Sequence, residues 1–214
     1  MSNLTTLLAL SDSRLPTGGH VHSGGVEEAV TSGLVADLCT LEAFLRRRIV
    51  TTGLVTASLA AAVADGTLSA ESGTGGDAET DARTPSPAAR QASRAQGRGL
   101  LRLARRVWPG HRWDILGATP HLSVAAGLVG SVSGLSPQHT ALSIVYTTMT
   151  NSATAAQRLL ALDPGDVAAL TFTLAPVCEQ TAAEAACGLA DLSDPLLDVL
   201  AQRHVERDRP LFAS

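Results

Sequence analysis

The chain has 214 residues, 45% of them apolar but only 3% aromatic, with 16 basic and 20 acidic side chains and a formal charge of −4. Ala, Leu and Val dominate the apolar set, which suits close-packed helices and argues against an all-β fold. The acidic balance removes any global attraction to nucleic acid or an anionic membrane, and since every basic residue is arginine, no lysine is present to hold phosphate in a P-loop.

In chain order, Leu4, Leu7, Leu8 and Leu10 predict a short first helix, preceded by no basic or sustained apolar leader, so no secretory signal is expected. Residues 23–30 predict a second helix that ends at Gly33, with Glu27 and Glu28 at its positive N-terminal end. Asp37 then caps a long third segment whose apolar residues Leu38, Leu41, Phe44, Leu45, Ile49, Leu54 and Val55 follow helical spacing. Residues 68–84, rich in Gly, Ser, Thr, Ala, Asp and Glu, bury too little to offset their ordering entropy and are expected to form a flexible surface loop.

Four pairs of a small polar residue and proline, Thr119-Pro120, Ser136-Pro137, Asp163-Pro164 and Asp194-Pro195, then mark helix starts. They open segments 120–133, 137–162, 164–190 and 195–207, with Pro176 expected to kink or split the third. No charged residue lies between Asp114 and Arg158, but Pro120 and Pro137 break the stretch below the ~18 apolar residues of a membrane span. Cys39, Cys178 and Cys187 are odd in number and lack CxxC spacing, which predicts three buried thiols in a reducing, cytoplasmic setting. The expected fold is an all-α, single-domain helical bundle over 1–214 with one flexible loop.

Residues 15–27 hold four glycines and a proline, yet complete neither GxxxxGK[ST] nor GxGxxG. Such glycine density suits close approach of two helices or subunits. His20 and His22 can chelate a borderline metal such as Ni²⁺, or can pack as half-buried polar rings; two ligands fall short of the usual three or four. Arg90, Arg94, Arg98, Arg102 and Arg106 recur every fourth residue, drifting ~40° per step, and form a ridge that either grips an acidic partner or is a solvated face. The C-terminus combines His204, Arg207 and Arg209 with Leu211 and Phe212, residues that either anchor a partner or fold back on the bundle. His204 and Asp208 are spaced for a local i, i+4 pair. No HExxH, GxSxG or paired-acid pattern is present, so neither a catalytic nor a cofactor site is expected. A DNA-binding role would draw on the Arg ridge but lacks a basic recognition helix.

The opening Leu7-Leu8, then Leu15-Pro16-Thr17-Gly18-Gly19 and Ser23-Gly24-Gly25-Val26-Glu27, resembles the LPxG…SxGxE signature of the UreF family. Gln96-Gly97-Arg98-Gly99-Leu100-Leu101 is similar to that family's QGRxLL helix, and His121, Gly127 and Gly134-Leu135-Ser136 to its next helix and turn. Arg203-His204 and Leu211-Phe212-Ala213-Ser214 resemble its RH…RLFxS terminus. The resemblance implies an all-α homodimer that catalyses nothing itself and acts in a cytoplasmic complex with the UreG GTPase and the UreD/UreH accessory protein. That complex loads nickel into apo-urease, with GTP bound by UreG and nickel handled by the complex. His20 and His22 stand where the family carries aromatics, Leu162-Asp163-Pro164 replaces an LGQ-like turn, and Arg209-Pro210 interrupts the RLF run.

Overall fold

A computed structural model describes residues 4–12, 15, 22–192, 194–207 and 211–212. The helices run in the order α1 (Leu4–Leu10), α2 (Val26–Thr31), α3 (Leu38–Arg48), α4 (Leu54–Ala64), α5 (Gly75–Arg83), α6 (Pro87–Val107), α7 (Leu122–Val132), α8 (Pro137–Leu160), α9 (Pro164–Ala185) and α10 (Pro195–Val205). Among the described residues there is no β-strand, and no helix is long and apolar enough to cross a membrane. The fold is all-α, as the composition requires.

Polar N-caps start most of the long helices where the sequence places them. Asp37 forms a reciprocal capping box with Thr40, the Ser136 hydroxyl accepts from His139 N–H, and the carboxylates of Asp163 and Asp194 each accept two backbone N–H groups. Proline follows the last three caps at the first helical position. Ser86-Pro87 opens α6 in the same way, a cap just beyond the segment 68–84 expected as a loop. Thr119-Pro120 departs from the pattern. There α7 begins at Leu122, and the amides at its start are satisfied from other helices: His121 N–H donates to Asp77 and Leu122 N–H to Ser93.

The buried hub is α4, whose small and branched side chains are covered nearly all round. It packs against α7, α8 and α9, while α6 lies on α7 and α10 bridges α2 and α6. Glycine permits a close crossing of α4 and α7: a Cβ on Gly127 of α7 would come within 2.5 Å of Val63 Cβ and 2.6 Å of the Ala60 carbonyl on α4. One continuous hydrophobic cluster links residues from Val26 to Leu200.

Several expectations need correction. The segment 68–84 is not a loop throughout, because α5 occupies Gly75–Arg83 and buries Asp77 and Thr80. Its stability comes from partners that composition does not reveal: Thr80 meets Ser123 of α7 at 2.8 Å, and Asp81 binds both Arg94 and His121. The long third segment is two helices joined by a π turn, Ile49–Gly53, where Thr51 and Thr52 hydroxyls bond the carbonyls of Arg47 and Arg48. Pro176 does not split α9, which runs through it unbroken to Ala185. Of the cysteines only Cys178 is buried; Cys39 and Cys187 are exposed.

Candidate functional site

The sequence-predicted residues near the C-terminus converge on α2. Glu27, in the first turn of that helix, is only 2% exposed. Its two carboxylate oxygens accept from Leu211 N–H at 2.8 Å and Phe212 N–H at 3.0 Å, and the His204 ring lies 2.9 Å away. Burial alone would raise the pKa of this carboxyl, but the Leu211 N–H, the His204 ring and the Phe212 N–H outweigh it and hold the group below the usual glutamate range. Beside it, Arg207 donates to Glu28 and to Thr31, each at 2.9 Å. Phe212 packs against the core, whereas Leu211 remains 77% exposed.

A clasp therefore ties the chain terminus to α2. His204 pairs with Glu27; Asp208, the partner its i, i+4 spacing offers, lies outside the described residues, as does Arg209. His204, Arg207 and Phe212 are engaged within their own bundle, and Leu211 is the member of this set that faces outward. Glu27, the hub of the clasp, was read from sequence as a complement to the helix dipole and as the acid of the SxGxE-like segment, not as a partner of the C-terminus. Its partners are about 180 residues away along the chain, beyond the reach of any periodicity.

The Arg ridge of α6 divides into two parts. Arg90 donates to the carbonyls of Thr84 and Pro85, and Arg94 donates to Asp81 at 2.8 Å and the Thr119 carbonyl at 2.7 Å. These two tie α6 to α5 and to the approach to α7. Arg98 and Arg102 are exposed, as are Arg105 and Arg106, and no acidic residue occurs in the helix. The outward half is an exposed cationic face; the inward half is internal structure.

Behind Arg94 sits a polar junction that sequence reading did not find. His121 is fully buried, with Nδ1 3.0 Å from Ser93 Oγ and Nε2 2.9 Å from Asp81. Burial pushes the imidazole pKa down despite Asp81, which leaves a neutral ring that donates from Nε2 and accepts from the Ser93 hydroxyl. The arrangement outwardly resembles a Ser-His-Asp triad, but Ser93 stands within α6, where the backbone N–H groups are consumed by the helix and none is free to stabilise an oxyanion. Its hydroxyl also accepts from Leu122 N–H at 3.2 Å. The junction caps α7 and locks α5, α6 and α7 together. Gly97 makes that contact possible, since a Cβ there would fall on the Pro120 carbonyl oxygen and within 2.8 Å of the His121 carbonyl carbon.

A cavity of about 170 Å³ opens between α4, α5, α6, α8 and α10. His22 and Arg48 are on its wall; His20 lies outside the described residues. Among the described residues no group of three or more His, Cys, Asp or Glu side chains is placed to hold a metal ion.

Residues 35–175 match the UreF family. Over the full length of both chains, the protein is 79% identical to the urease accessory protein UreF of Mycolicibacterium vanbaalenii, 71% to that of Mycobacterium marinum and 65% to that of Mycobacterium tuberculosis. The QGRxLL-like and RH…LF segments thus sit in the helix that carries the cationic face and in the clasp that closes on Glu27, and the chain belongs to the UreF family.

Proposed function

We propose that this chain is a non-catalytic scaffold for urease maturation, working as a homodimer in the cytoplasm with a UreG-like GTPase and a UreD/UreH-like accessory protein. In this reading the complex delivers nickel to apo-urease, and GTP belongs to the GTPase. The observation that carries it is the end-to-end similarity, at 79% identity, to a protein named as an accessory of urease and not as the enzyme. The absence of lysine from the whole chain agrees with placing nucleotide chemistry on the partner.

The residues available for partner contact are Arg98 and Arg102 on the outer face of α6 and Leu211 beside the clasp. Arg94, His204, Arg207 and Phe212 hold those surfaces in place, and Arg209 continues the same terminus. Co-expression with the GTPase and the second accessory protein, followed by purification and mass determination, tests the proposal. A co-eluting complex containing two copies of this chain is expected; a chain that purifies alone as a monomer overturns it.

A further inference from the structure

Arg48 ends α3 and immediately precedes the π turn Ile49–Gly53. Its Nη1 donates to the Gly24 carbonyl at 2.6 Å. The guanidinium lies so close to that glycine that a Cβ would come within 2.5 Å of Cζ and 2.9 Å of Nε, and the positive φ of +63° independently calls for glycine. The other edge of the fork, Nε with Nη2, makes no hydrogen bond to any described residue, and Nε is sealed from solvent.

No carboxylate among the described residues comes within ion-pair distance of Arg48. The neighbouring Asp194 is held by two hydrogen bonds from Arg47, at 2.6 and 2.7 Å, and a third from Thr51. Asp198, also on the cavity wall, accepts from Ser86 N–H, and burial raises its pKa. Arg48 remains cationic at neutral pH, because burial lowers its pKa only to about 10. A buried guanidinium N–H with no acceptor is unfavourable unless an acceptor enters from outside the chain.

The surroundings suit such an acceptor. Thr52, Thr148, Asn151 and Ser152 line the same cavity, and the hydroxyl of Ser23, next to Gly24, is likewise buried without a hydrogen-bond partner among the described residues. The π turn brings Thr52 to the wall beside Arg48, and π turns inside helices recur at functional sites. A volume of about 170 Å³ far exceeds the roughly 15 Å³ needed for one water.

We propose that this cavity binds a small oxyanion that reaches the Arg48 guanidinium at Nη2 and, with its second oxygen, supplies the acceptor that the buried Nε lacks, beside the Thr148 hydroxyl and the Asn151 amide on the same wall. The planar fork of arginine matches paired oxygens at the spacing found in carboxylate, bicarbonate and phosphate. Chloride, a single sphere, offers no such pair.

The test is calorimetric titration of the purified full chain with formate, bicarbonate and inorganic phosphate, at constant ionic strength in chloride buffer. At least one of the three is expected to bind saturably, one per chain, in the millimolar range or tighter. Arg48→Met should weaken that binding at least tenfold. Arg48→Lys keeps the charge without the fork, and is expected to weaken binding while leaving the circular dichroism spectrum unchanged; it decides the matter should Arg48→Met fail to fold. Preference for formate and bicarbonate identifies a planar ligand and preference for phosphate a tetrahedral one, and either supports the site. Absence of binding by the parent chain overturns the proposal, as does unaltered affinity in both variants. If the small anions are ignored while Arg48→Lys abolishes co-purification of a partner, the fork serves a partner's carboxylate and the proposal is likewise overturned.

Discussion

Glu27 illustrates how one buried charge organises two distant segments. Three hydrogen-bonding groups, the Leu211 and Phe212 N–H and the His204 ring, cannot be satisfied at once by a neutral amide in the same place, so Glu27→Gln is expected to cost about 3 kcal/mol, the scale of breaking a buried charged network from one side. Urea unfolding monitored by circular dichroism measures it. Because the folded pKa lies below the ordinary value of 4.5, the contribution of the clasp is complete above that pH and is lost as the pH falls through the lower folded value. His121 has the opposite charge type but the same sign of effect. Its folded pKa lies below 6.5, so on acidification the unfolded chain takes up a proton that the folded chain refuses, and stability falls below that pH. Unfolding midpoints compared at about pH 7.5 and about pH 5.5 should show this loss, and His121→Asn should remove its share.

At the scale of the element, α6 does two jobs along one helix. Arg98 and Arg102 face outward without a described partner in the chain, so reversal of both to Glu should leave the unfolding midpoint nearly unchanged and diminish co-purification with the GTPase or the second accessory protein. Arg94→Glu is expected to behave in the opposite way: it places a carboxylate against Asp81 and Asp77 and should lower the unfolding midpoint first. The five-arginine repeat was legible from spacing, but its division was not. Which arginine turns inward depends on α5, and α5 was invisible to composition because its hydroxyl and carboxylate groups are satisfied by α6 and α7 rather than by apolar burial.

For the whole molecule, the α4–α7 crossing is a point at which added volume meets backbone. Gly127→Ala is expected to destabilise by about 1–3 kcal/mol through overpacking, because the Cβ meets the Ala60 carbonyl and Val63, neither of which is the free end of a flexible side chain. Thermal and urea unfolding check the value, and a variant as stable as the parent would show that α4 and α7 can slide apart. The sequence by itself determined the helical class, the helix starts at Asp37, Ser136, Asp163 and Asp194, and the family, because caps, periodicity and short motifs are local and are encoded within a few residues. Tertiary structure alone decided that Glu27 receives the chain terminus, that His121 is a neutral buried lock between Ser93 and Asp81, that 75–83 is helix, and that Arg48 lines a cavity with its buried Nε left without an acceptor among the described residues. Each of these depends on groups far apart in the chain, whose pairing is set by how the helices pack and not by any spacing along the sequence.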